Sequence, residues 1–223
     1  MRDYILEKVK NTPTRFRLGG IEVEEIDPLP EDINLNHILK AIEKNFPSHY
    51  FNAVKGIKIE HLEEFDEREV NALYRDGYLY ITNQQDDAED IINDIIHEFA
   101  HHVETIYPEK VYGDESIKKE FLKKRKQLKQ EIQSEGYWVN EYDFENLKFS
   151  NSFDLFLYKR IGKNLLRMLT SGLFIRPYSS VSLREYFATG FEAYYLGDRD
   201  LLKKISPFLY LKIDEIHKAL YNK

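Results

Sequence analysis

The sequence predicts an α+β protein, a small and mostly antiparallel sheet packed on one long amphipathic helix and followed by a helical C-terminal part. Three observations carry this. Hairpin signals are confined to the first 84 residues, and helical periodicity dominates from residue 85 to the end. The chain has 223 residues, 42% of them apolar and 14% aromatic, enough to bury a substantial core. No repeat, low-complexity tract or linker divides it. It therefore reads as one domain, 1–223, with a hairpin-rich part holding one helix at 1–84 and a mainly helical part at 85–223.

The elements follow in order. Two alternating stretches flank Gly19-Gly20 between Thr14 and Ile26, a hairpin signal. A helical stretch opens at Glu31-Asp32, sets Ile38, Leu39, Ile42 and Phe46 on one side, and stops at Pro47. Residues 54–59 form a short strand candidate. Asp76-Gly77 between the aromatic strands 72–75 and 78–82 suits a type I′ turn. The strand from Tyr78 to Thr82 is core sheet and a candidate edge for pairing with an extended peptide.

Asp86-Asp87 cap a helix expected from about Ala88 to Thr105. Ile92, Ile96, Phe99, Val103 and Ile106 form its apolar stripe, and Asp90, Asp94, His97, His101 and Glu104 the opposite, ionisable one. A second amphipathic helix at 117–132 buries Ile117, Phe121, Leu128 and Ile132. Its Lys118, Lys119, Lys123, Lys124, Arg125, Lys126 and Lys129 read as a solvated basic face, with docking on an acidic partner or a membrane surface as the alternative. Residues 136–151 look like a loop and hold the single Trp. Further helices are expected at 155–169, at 182–196 and from 198 to 221 with a break at Pro207.

Composition removes several functions. The 39 acidic and 32 basic residues give a formal net charge of −7, which argues against nucleic-acid binding driven by bulk charge. No apolar run is long enough to span a bilayer. There is no Cys, so disulfide scaffolds, thiolate nucleophiles and Cys-ligated metal are excluded, and a metal must be held by His, Asp or Glu. The N-terminus, MRDYILEKVKNTPTRF, lacks the apolar core of a secretory leader, so the chain as written is expected in the cytoplasm, or outside the cell if a leader has been removed.

His97-Glu98-Phe99-Ala100-His101 is an H-E-x-x-H motif on the 88–105 helix. Positions i and i+4 lie one turn apart on one face, so both imidazoles can reach one Zn2+ ion. Glu98, rotated off the ligand axis, can work on the water as general base. A catalytic zinc takes a third protein ligand. Gly and His at the positions of Glu104 and Tyr107 would extend the motif, and neither is present, so the ligand comes from elsewhere. Glu185 leads the candidates, with Glu192, seven residues on, and Glu104 behind it. Ala188 and Gly190 are small enough to let that helix approach the first one closely. Tyr178, in the loop before Glu185, could donate to a developing oxyanion. His102 points about 100° away from His101 and reads as a surface or cleft-edge side chain.

HEFAHHVE, then Tyr178, six residues and EYFATGFEAYY resemble the catalytic domain of anthrax-lethal-factor-like gluzincins, a group that includes the secreted Pro-Pro endopeptidases. The tail SPFLYLKIDEI is similar to that family's final helices. The resemblance implies a zincin-like fold and one catalytic Zn2+ held by His97, His101 and Glu185. It further implies Glu98 as general base, Tyr178 as oxyanion or leaving-group partner, and a polypeptide substrate in extended conformation. Ala100 stands where the family has Gly, and Thr189 where it has an acidic residue. A carboxylate partner for a ligand imidazole is then expected from Glu192 or Asp94. The alternatives are a non-catalytic interaction module docking through the basic helix, and a metal-dependent amidase acting on cell-wall peptide.

Overall fold

A computed structural model of the chain describes residues 13–221. The stretch inspected for a leader lies outside them as far as residue 12. The architecture is α+β, and the chain divides into two compact units, 1–102 and 103–223.

In the first unit, β1 (Thr14–Leu18) and β2 (Ile21–Glu25) form the expected hairpin, with Gly19 at φ +57° in its turn. Helix α1 (Leu35–Asn45) starts later than Glu31, because Asn34 supplies the cap: its Oδ1 accepts from His37 N at 3.0 Å. A short 3-10 turn (Ser48–Phe51), β3 (Gly56–Ile59), α2 (Glu63–Arg68), β4 (Ala72–Arg75) and β5 (Tyr78–Ile81) follow. The sheet order is β1-β2-β3-β5-β4. β1/β2 and β4/β5 are antiparallel, whereas β2/β3 and β3/β5 are parallel. The sheet is thus mixed rather than mostly antiparallel. Helix α1 provides the crossover that a parallel β2/β3 pair requires, and β3 enters between the two hairpins. β5 lies between β3 and β4, so it offers no free edge; among the described residues β1 and β4 are the edge strands.

Helix α3 (Ala88–Ile106) begins where Asp87 Oδ1 accepts from Glu89 N at 2.7 Å and Asp90 N at 3.0 Å. Its apolar side is wider than the single stripe expected. Ile91, Ile95, Ile96, Phe99, Ala100 and Val103 are buried, while Ile92 and Ile106 are only half-buried. The Phe99 ring packs against Phe46 and Phe51, at centroid distances of 5.4 and 5.5 Å.

In the second unit, α4 (Pro108–Tyr112) leads to α5 (Ser116–Ser134). Ile117, Phe121, Leu128 and Ile132 are buried as expected, but so are Lys124 and Arg125. These two do not belong to a solvated basic face. Lys124 Nζ donates to Leu173 O at 2.6 Å, Ile205 O at 2.7 Å and Ser206 Oγ at 3.1 Å. The region read as a loop contains α6 (Glu141–Glu145), and Trp138 before it is 73% exposed. Helix α7 (Asn151–Leu155), a π-helical stretch (Phe156–Gly162) and α8 (Lys163–Thr170) replace the single helix expected at 155–169. A 3-10 turn (Pro177–Ser180), α9 (Leu183–Tyr195), α10 (Arg199–Ile205) and α11 (Pro207–Tyr221) complete the unit. Gly190 does permit a close approach, but by α11: a Cβ there would collide with the Leu209 side chain. Helix α11 is capped from α5, since Glu120 accepts from Phe208 N at 3.2 Å and Leu209 N at 3.0 Å.

Candidate functional site

Regular helical geometry on α3 brings His97, Glu98 and His101 together. One ligating atom from each lies within 4.8 Å of the others. The two imidazole rings are 4.9 Å apart, centroid to centroid, and cross at 84°. Nitrogens bound to one tetrahedral ion sit roughly 3.4 Å apart, given metal–nitrogen bonds of about 2.05 Å. Two imidazoles and a carboxylate this close together could hold a metal ion. His97 is half-buried, while Glu98 and His101 are 4% and 5% exposed. A carboxylate and an imidazole so far removed from water act in a medium where electrostatic effects are large.

Two neighbours define the surroundings in this unit. Asp94, half-buried one turn before His97 and Glu98, accepts from Gln85 Nε2 at 3.0 Å. Burial pushes its carboxyl up to about 6, against the lowering effect of the Gln85 hydrogen bond, with the Glu98 charge adding to the rise and His97 opposing it. His102 is not a surface side chain. It is 1% exposed, with Nε2 3.0 Å from Asn52 O and Nδ1 3.1 Å from the Tyr74 hydroxyl on β4. A carbonyl can only accept, so Nε2 carries the proton and Nδ1 accepts from the phenol. His102 thereby anchors α3 to the sheet, and its burial lowers its pKa.

In the second unit, Tyr178 lies in the 3-10 turn and Glu185 in the first turn of α9; both are half-buried. The segment carrying them is tied down by polar contacts. Ser182 caps α9 by accepting from Glu185 N at 3.1 Å. Val181 N donates to Tyr178 O at 3.1 Å. Ser179 Oγ and Thr189 Oγ1 are 2.6 Å apart, and Thr189 Oγ1 also donates to Glu185 O at 2.8 Å. Thr189, which departs from the pattern described above, thus links the Tyr178 turn to the Glu185 turn.

The other two candidates for third ligand are engaged elsewhere. Glu192 is 2% exposed and is gripped by both arms of Arg176, with Nη1 to Oε2 at 3.1 Å and Nη2 to Oε1. Glu104 accepts from the Tyr112 hydroxyl and, at 3.1 Å, from Arg184 Nε. Burial, helped by that carboxylate, drives the Tyr112 phenol far above its ordinary range. The Glu104–Arg184 pair also ties the last turn of α3 to the residue preceding Glu185. Sequence reasoning missed Arg125, Arg176 and His102 as anchors. Only tertiary contacts reveal them, because their partners lie far along the chain and follow no local spacing.

Set against protein-family models, curated proteins and solved structures, the chain matches none.

Proposed function

We propose that the protein is a zinc-dependent endopeptidase of gluzincin type, with a zincin-like arrangement around α3. The observation that carries the reading is the convergence of His97, Glu98 and His101 on one helix face, with the two flanking ring nitrogens and the carboxylate close enough to share an ion. His97 and His101 would hold the metal. Glu185 would be the third ligand, on the strength of the sequence motif. Bound zinc supplies Lewis acidity toward a carbonyl and makes a water molecule easier to deprotonate. With a metal held there, Glu98 would take a proton from the attacking water and return it to the leaving amine, a role suited to a carboxylate sealed from bulk solvent. Tyr178 donates its phenolic hydrogen toward the oxygen that gains charge as the carbonyl carbon becomes tetrahedral. An extended polypeptide is the substrate class. No described helix is long and apolar enough to cross a membrane.

Elemental analysis of the purified protein and a quenched-fluorescent peptide library test this together. Wild type should carry zinc and cleave members of the library. Glu98→Gln should keep the metal and lose activity by about 10²–10⁴-fold, and His97→Ala should lose the metal. Full activity in Glu98→Gln refutes the mechanism. A zinc-loaded wild type that spares every peptide but opens cell-wall fragments is an amidase instead. A docking module led by the basic helix would have to use Lys118, Lys119, Lys123, Lys126 and Lys129, because Lys124 and Arg125 face the interior.

A further inference from the structure

Arg125 heads the fully buried large side chains among the described residues, at 0% exposure. A cation withdrawn from water needs acceptors to offset the cost, and at Arg125 the two terminal nitrogens find them while Nε has no partner among the described residues. Here Nη1 donates to Ser180 O at 2.5 Å and Val181 O at 3.2 Å, while Nη2 donates to Asp143 O and, at 3.5 Å, to Asn146 O. The guanidinium carbon lies 4.1 Å from the Phe153 ring centroid, with Phe121 and Phe144 at 5.2 and 5.6 Å. Burial lowers the guanidinium pKa, yet four carbonyl acceptors and three aromatic faces favour the cation.

What the fork grips is informative. Ser180 and Val181 form the stretch between Tyr178 and the α9 cap. Val181 N holds Tyr178 O, and Ser182 Oγ holds Glu185 N. On the far side, Asp143 and Asn146 flank the end of α6, and the next residue, Leu147, accepts from Leu183 N at 2.9 Å. One planar group therefore bridges two backbone segments, and the bridged one carries both Tyr178 and Glu185.

We infer that Arg125 is a positioning residue for Tyr178 and Glu185, fixing from the interior the backbone that joins them. The catalytic consequence rests on the peptidase reading above. Lysine cannot reproduce the effect, since a single ammonium does not span two pairs of carbonyls as a fork does.

The test uses full-length Arg125→Lys beside wild type. It reads amide hydrogen exchange, zinc content, and kcat and KM on the quenched-fluorescent peptide that wild type cleaves fastest. Amides of residues 178–186 should exchange at least about tenfold faster, with α5 and α11 unchanged. Zinc content should hold, KM should stay within about twofold, and kcat should fall by roughly ten- to a hundredfold, as expected for misplaced groups. Unchanged kcat in an active, folded variant, or exchange that rises uniformly, overturns the inference. Phe153→Leu removes the closest aromatic face but keeps every hydrogen bond, and gives a milder version of the same pattern if Arg125→Lys folds poorly. A wild type that cleaves no peptide counts against the peptidase reading; selective exchange in 178–186 then still supports the positioning role, and uniform exchange rejects it.

Discussion

Two stretches of the chain position candidate catalytic groups by different means. On α3 the helix does the work: three side chains meet because of 3.6-residue periodicity, and a broad apolar back seats the helix in its unit. Between residues 176 and 182 the chain is a 3-10 turn and its flanks, and the position of this turn and of the start of α9 is set by polar contacts, including those of buried Arg125, Thr189 and Ser182 and the pair of buried Glu192 with Arg176. An apolar seat tolerates the loss of one contact because many atoms share the burden. A polar anchor does not, since deleting one partner leaves the other buried without its bond. The second stretch should therefore be the more sensitive to single substitutions.

Lys124 offers the largest stability effect by which to probe this difference. Burial pushes its ammonium down from 10.5 to about 8. Between pH 8 and 10.5 the unfolded chain retains a proton that the folded chain has released, so stability rises with pH across that window. Below pH 8 both states are protonated and the folded one bears the full cost of burying the charge. The shift corresponds to about 3 kcal/mol. Denaturant melts of wild type and Lys124→Met at intervals from pH 7 to 10.5 isolate the slope difference. Met removes the titration and also leaves the Leu173 and Ile205 carbonyls without their donor, a loss that does not vary with pH. Equal slopes in the two proteins would show that the ammonium is not desolvated.

Gly190→Ala is the next step down. The added methyl meets Leu209 on α11, and overpacking of this kind costs about 1–3 kcal/mol. The strain falls on α9 at the residue next to Thr189, so faster amide exchange should extend from α9 toward the Tyr178 turn. Confinement of the change to α11 would mean that the anchored segment is stiffer than its hydrogen bonds suggest.

The same contrast explains what could be read beforehand. The α3 site was legible because its chemistry is local: the H-E-x-x-H spacing and the Asp87 cap lie within one element. The two hairpins were legible from Gly19-Gly20 and Asp76-Gly77 for the same reason. The parallel placement of β3 was not, because a strand's neighbours depend on a crossover rather than on its own residues. Lys124 and Arg125 misled in a more instructive way. In a run of lysines they look like solvent-facing cations, and only carbonyls contributed by residues 143, 146, 173, 180, 181 and 205 give them a reason to turn inward. Polar burial is encoded by partners remote in sequence.

The smallest effect comes from a polar anchor on the α3 side. Tyr74→Phe deletes the hydroxyl that donates to His102 Nδ1 and leaves the ring, the β4 pairing and the Asn52 contact in place. Nδ1 then loses its donor at a buried site, a penalty of about 1–2 kcal/mol. The Phe99 cluster and the isoleucines of α3 are untouched, so the helix should keep its seat and His97, Glu98 and His101 their mutual geometry. The expected result is a modest drop in melting temperature with unchanged metal content. Were Tyr74→Phe instead to strip the metal, α3 would depend on its polar anchor as much as residues 176–192 depend on theirs, and the distinction between the two stretches would fail.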